Sequence, residues 1–199
     1  MEVVRFGLIV EGQGEVKAAP ALIRRIANEH EFYSSIKFEV RRIPRSQLVR
    51  QGELERAIEA LSRQLGRGQP FLVLIDADDD CPKELVSNFQ ARCRSQHSDL
   101  RISFVLAKME YEAWFLAAAK SLSGCGGLRD GLQAPQSPEL IRGAKEWLSN
   151  KMSPGNSYSP TRHQTAFSER LDLSEARQAR SFRKLEKEVR SLLGISSTF

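Results

Sequence analysis

Residues 71–81, FLVLIDADDDC, run five apolar residues straight into four acids packed within five positions. Asp76 and Asp78 stand two apart, and on an extended backbone two such side chains point the same way, so they can share one hard divalent cation or a pair of them. Mg2+ or Mn2+ would relieve the repulsion among these carboxylates. The run also reads as an acidic cap for the helix that begins near Pro82, because carboxylates are favoured at a helix N-terminus. The cation suits Asp76 and Asp78; the cap suits Asp79 and Asp80.

Two further acidic stretches carry the same chemistry. In VEGQGE, residues 10–15, Glu11 and Glu15 flank glycines that let the chain turn sharply. Neither GxGxxG nor GxxxxGK[ST] is present, and a carboxylate at the turn repels phosphate unless a metal lies between them, so a metal-mediated phosphate site fits better than a direct cradle. In MEYEAWFLA, residues 109–117, Glu110 and Glu112 diverge by roughly 200° on a helix and only one then faces a site, whereas at a strand end both can reach it. The alternative is a pair of solvated helix-start acids. Lys108, just ahead, can offer a cation to a phosphate or transition state, or be an ordinary surface lysine.

Something must bring these stretches together. VVRFGLIV (3–10), IKFEVRRI (36–43), FLVLID (71–76) and RISFVLAK (101–108) read as strands, the second alternating as a half-exposed edge strand does. Apolar positions at helical spacing fill 15–30, where Pro20 falls in the first turns, and 52–66, closed by Gly66 and Gly68. Residues 81–97, opening on Pro82, and 109–122 read as further helices. The order β-α-β-α-β-α-β predicts a parallel sheet with right-handed crossovers, whose active crevice lies at the carboxyl ends of the strands. Glu11, Asp76 with Asp78, and Glu110 with Glu112 all fall at that edge. Beyond residue 122 come a Gly/Ser/Pro-rich loop, a helix over 138–150, a second loop over 152–164 and two or three helices over 163–193. The expected organisation is an α/β core over 1–122 and a loop and helical extension over 123–199 packed on it, a single domain overall.

Composition narrows the classes. The 199 residues are 41% hydrophobic, enough for a packed core, and a net charge of +5 permits contact with a polyanion without requiring it. Three cysteines without ligand spacing signal neither a disulfide framework nor a zinc site. No stretch approaches the ~18 apolar residues of a membrane span and no secretion leader is visible, so a cytoplasmic protein with no membrane contact is expected. In YSPTRHQTA, residues 158–166, Tyr158, Arg162, His163 and Gln164 read either as phosphate and base contacts or as a loop with a helix cap. Arg177, Arg180, Arg183 and Lys184 read as a phosphate-binding face or as a solvated basic helix.

EGQGE after an opening strand and IDADDD after a later one resemble the Toprim pattern, a glutamate in the first turn followed by DxD, shared by topoisomerases, bacterial primases and OLD-type nucleases. More narrowly, VEGQGEVKAAPAL, DADDDCP, MEYEAWFLA and YSPTRHQTAFSERLDLSEARQARSFRKL are together similar to a family of small bacterial Toprim-like proteins, over nearly the whole chain. The resemblance implies a Rossmann-like Toprim core whose acids bind Mg2+ for phosphodiester chemistry on DNA or RNA. It gives Glu11 the role of metal ligand or general acid/base, Asp76 and Asp78 the metal-binding DxD, Glu15 the second acid of the nuclease-type motif, and Glu110 or Glu112 completion of the metal shell. Lys108 or His163 would assist the charged transition state. The expected activity is that of a metal-dependent nuclease. The alternatives are a non-catalytic or conditionally active Toprim partner of a separate ATPase in phage defence or DNA maintenance, and a hydrolase of nucleotides or phosphorylated metabolites.

Overall fold

A computed structural model describes residues 3–66, 68–94 and 100–195. Four parallel strands, β1 (Val3–Val10), β2 (Ser35–Arg42), β3 (Pro70–Asp76) and β4 (Arg101–Ala107), lie in the order β2-β1-β3-β4. The half-exposed β2 is an edge strand, and β3 is buried along its whole length between two neighbours, as its unbroken apolar run dictates.

The helix α1 (Glu15–Glu29) packs on one face, and α3 (Glu53–Leu65) and α4 (Pro82–Arg94) pack on the other. Residues 95–97 of the helix expected over 81–97 lie outside the described residues. Strand alternation sorts the core accordingly: Phe6, Leu8, Val10, Leu72 and Leu74 meet α1, while Ile9, Phe71, Val73 and Ile75 meet α3 and α4. Because α1 packs on one side of the sheet and α3 and α4 on the other, the sense in which successive parallel strands are added reverses between β1 and β3. The carboxyl ends of those two strands therefore border the topological switch point where α/β sheets form their crevices.

Four local expectations give way. RIPRSQL, passed over in the sequence, holds a one-turn helix, α2 (Arg45–Leu48), which Pro44 leads into. The helix expected over 109–122 shrinks to α5 (Ala113–Ala117), because Met109 takes a left-handed φ of 62° that helix geometry does not admit. The helix expected over 138–150 is broken at Gly143, also left-handed, leaving a 3-10 turn and then α6 (Ala144–Lys151). YSPTRHQ is not a loop throughout: α7 (Pro160–Arg170) starts inside it, with Pro160 at a position where a missing amide costs nothing.

After α7 come α8 (Leu173–Ala176) and α9 (Arg180–Leu193). These C-terminal helices share one hydrophobic cluster with α1 and the sheet. Tyr111 Oη bonds Ser168 Oγ of α7 at 2.9 Å, and Trp114 Nε1 donates to Ser181 Oγ of α9 at 2.8 Å, so the short α5 is a buried hub rather than a surface turn. Among the described residues, no helix is long and apolar enough to cross a membrane.

Candidate metal centre

Four carboxylates meet above the switch point. Glu11 follows β1, Glu15 opens α1, Asp76 ends β3 and Glu112 precedes α5. Asp76 belongs to the same alternation set as Leu72 and Leu74, so it turns toward α1 and is buried there. Its Oδ1 accepts the Tyr111 backbone N–H at 2.7 Å, which ties β3 to the segment after β4. Glu15 folds back over the glycine turn to accept the Glu11 N–H at 3.1 Å, and it too is buried. Glu112 is fully enclosed.

Burial of so many acids together is electrostatically costly, and their proton affinities show it. Glu15 is raised to about 7, by burial first and then by Glu112 and Glu11, against opposing hydrogen bonds from the Gly12 and Glu11 amides. Burial lifts Asp76 well above the usual carboxylate range, with Glu15, Glu112 and Glu11 adding repulsion. Glu112 and Glu11 are raised as well, again chiefly by burial. One oxygen each of Glu11 and Glu112, Oε2 in both, is buried without a hydrogen bond. Bare carboxylate oxygens in an acidic cleft are the donors hard divalent cations take, so in donor type these residues suit Mg2+ or Mn2+.

Lys145, near the start of α6, supplies the counter-charge. Its Nζ lies 3.5 Å from Glu110 Oε1 and 3.6 Å from Glu112 Oε2. Burial works against its ammonium, but Glu112, Asp76 and Glu110 outweigh that and hold its pKa above the usual value. Glu110 also accepts the Lys145 backbone N–H at 3.3 Å, fixing the first turn of α6. Both members of the Glu110/Glu112 pair thus reach Lys145, because they precede the regular helix, which starts at Ala113. Lys145 occupies the place anticipated for Lys108, which does not line the cleft. Nothing in GAKEWL marks its lysine; only the fold of the C-terminal third carries it there.

The acids of DADDD separate. At Asp78 the backbone takes φ 46°, so the strand has ended and the expected parallel display of Asp76 and Asp78 does not form. Asp78 is exposed and pairs with Arg45 at 3.4 Å, though its charge still raises Glu11. Asp80 binds the same arginine, which also donates to Asp76 O at 2.5 Å, and Asp79 pairs with Arg142 at 2.6 Å. The first intrahelical bonds of α4 run to Cys81 O.

α7 walls the cleft. A space of about 330 Å³ is lined by Glu11, Glu15, Asp76, Lys145, the 12–14 turn and the start of α7 with Gln164. Tyr158 and Gln164, read from the sequence either as phosphate and base contacts or as a loop with a helix cap, bond Glu112. The His163 ring stacks on Tyr158 and Phe167, and its Nδ1 accepts the Ser159 N–H at 2.9 Å, so it braces the α7 start. Arg162 is exposed on α7, and Arg180 and Arg183 are exposed on α9; none of the three lines the cleft.

The approach of α7 depends on Gly14. A Cβ there would stand 2.1 Å from Gln164 Oε1 and 2.7 Å from the Pro160 carbonyl oxygen. The side chain can swing away but the backbone carbonyl cannot, so Gly14→Ala is expected to push α7 outward at a cost of about 1–3 kcal/mol. Chemical denaturation checks this; an unchanged midpoint would show that α7 is not seated as described.

Among the described residues, Glu29, His30 and Glu186 form a trio whose metal-capable atoms lie within 4.8 Å of one another. The cleft carboxylates form no such trio and stand more widely spaced. In the trio, however, Arg177 already bridges Glu29 and Glu186 and supplies the charge a cation would bring.

A family model described as Domain of unknown function (DUF4276) matches residues 10–190. Comparison with curated proteins and with solved structures returned no match.

Proposed function

The chain belongs to this DUF4276 family, and we propose that it is a metal-dependent phosphodiester hydrolase of the Toprim type acting on DNA or RNA, with Mg2+ or Mn2+ as its cation. The observation that carries the reading is the convergence of Glu11, Glu15 and Asp76 on one cleft, with the enclosed Glu112 behind its lysine, Lys145, and one oxygen each of Glu11 and Glu112 left without a hydrogen bond. Glu11, Asp76 and Glu112 would hold the cation. Once bound, such an ion activates water and neutralises charge on a phosphoryl group.

The chain's own groups do the rest. Glu15, with a pKa of about 7 and bonded to the Glu11 amide, can hold or release a proton at neutral pH. Lys145 brings an ammonium to the same cleft and meets the negative charge of a phosphate there. Arg45 and Arg142 at the rim hold Asp78, Asp79 and Asp80 in ion pairs, which lowers the negative charge a polyanion encounters on approach.

The test is cleavage of single- and double-stranded DNA and RNA with Mg2+ or Mn2+. Glu11→Ala and Asp76→Ala are each expected to lower the rate by at least ~10²-fold, as loss of charge stabilisation at a reacting centre does. Metal-dependent cleavage that survives both substitutions would place the site elsewhere. A cleft of about 330 Å³ is at the small end for ligand sites, which favours hydrolysis of nucleotides or phosphorylated metabolites as the second reading. Turnover of nucleotides without polynucleotide cleavage would select it.

A further inference from the structure

Glu112 has no exposed surface, yet its two oxygens are treated unequally. Oε1 accepts two hydrogen bonds, from Tyr158 Oη at 2.9 Å and from Gln164 Nε2 at 3.2 Å. Oε2 accepts none and faces Lys145 Nζ at 3.6 Å, an ion-pair separation without a hydrogen bond. A buried carboxylate needing only satisfaction would share its donors between both oxygens, since a bare buried acceptor is costly. Two donors on one oxygen instead fix the rotation of the carboxylate and leave the other oxygen directed at Lys145, which lines the cleft.

We propose that Tyr158 and Gln164 are positioning residues that turn Glu112 so that Oε2 is the oxygen presented to a divalent cation. The inference rests on the metal-centre reading above.

Both donors are themselves held. The Tyr158 ring stacks on His163 and Phe167 with centroids 5.5 and 5.8 Å away, and its backbone N–H donates to Ser149 Oγ at 3.2 Å. Its hydroxyl is thereby aimed at Glu112 Oε1, to which it donates. Gln164 is buried in α7, held by packing of its Oε1 end against Gly14, where that oxygen makes no hydrogen bond, while its Nε2 donates to Glu112. Outer partners of this kind set ligand direction, and their loss typically weakens metal binding by about 10–100-fold.

The experiment is calorimetric titration of Mn2+ into the wild type, Tyr158→Phe and Gln164→Met, with electron paramagnetic resonance of the bound ion. Ser103→Ala on β4, which removes a hydrogen bond to Glu188 of α9, serves as control. The expected result is a dissociation constant raised roughly 10–100-fold in the first two, a changed Mn2+ spectrum, and no change in the control. Tyr158→Phe keeps the ring stack, so it reports even where Gln164→Met folds poorly. Folded Tyr158→Phe that binds Mn2+ as tightly as the wild type, with only its melting midpoint lowered, overturns the proposal and leaves the metal centre standing. Wild type that binds no Mn2+ at millimolar concentration overturns both.

Discussion

Replacing Asp76 by Asn is expected to make the metal-free protein more stable while abolishing cation binding and the cleavage that depends on it. The two effects share one cause. Asp76 is buried beside Glu11, Glu15 and Glu112, and its pKa is raised well above the ordinary value by burial and by those neighbours. A group whose folded pKa exceeds its unfolded value contributes stability that is fully present below the unfolded pKa, and loses it as pH rises through the folded one. At pH 8 the wild-type carboxylate is therefore a liability, and Asn removes its charge while its amide oxygen still accepts the Tyr111 N–H.

The gain is on the order of 1–3 kcal/mol, or roughly 2–10 °C for a domain of this size. Scanning calorimetry at pH 8 with chelator reads it, and repeating the scan near pH 4 should shrink the difference. Glu15 shapes the wild-type profile in the same sense: its contribution is fully present below about 4.5 and is lost as pH rises through about 7. The metal-free protein thus weakens between those values by up to about 3 kcal/mol from this group alone. An Asp76→Asn protein that melts lower at pH 8 and still binds Mn2+ would show that Asp76 is structural.

The second large effect is at Lys145. Lys145→Met removes the ammonium that lies near Glu110, Glu112 and Asp76. Breaking a fully buried pair by removing one partner costs about 3–5 kcal/mol. Lys145 is 39% exposed, so solvent screening brings the expected loss to about 2 kcal/mol. Because the remaining carboxylates then repel without relief, the loss should be larger at pH 8 than at pH 5. A bound cation stabilises by about 2.7 kcal/mol at one hundred times its dissociation constant, so saturating Mg2+ should recover most of what Lys145→Met loses. Equal loss at both pH values, with no recovery in Mg2+, would mean that the lysine acts through packing alone.

Much of this site is legible in the residues. The apolar run of 71–75, the glycine turn of 10–15 and the acids at 110 and 112 suffice to place three carboxylate-bearing segments at one edge of a parallel sheet, because strand polarity and right-handed crossovers leave few other arrangements. What spacing misjudged was direction. Asp78 was expected beside Asp76 on an extended chain, but φ 46° at Asp78 sends it outward to Arg45. A backbone reversal of that kind is set by the bridge between Asp78 and Met109, residues about thirty apart in sequence, so no local pattern announces it.

By itself, then, the sequence determined the α/β class, the buried strands and which acids gather at the switch point, since periodicity and strand order are local properties of the chain. Only the tertiary structure decided which of those acids are buried together, that Lys145 rather than Lys108 faces them, and that Tyr158 and Gln164 grip Glu112. Those outcomes depend on how residues 144–164 pack against α1 and the strand ends. A hydrogen bond spanning 46 or 52 positions, as those to Glu112 do, leaves no periodic trace in the residues that make it.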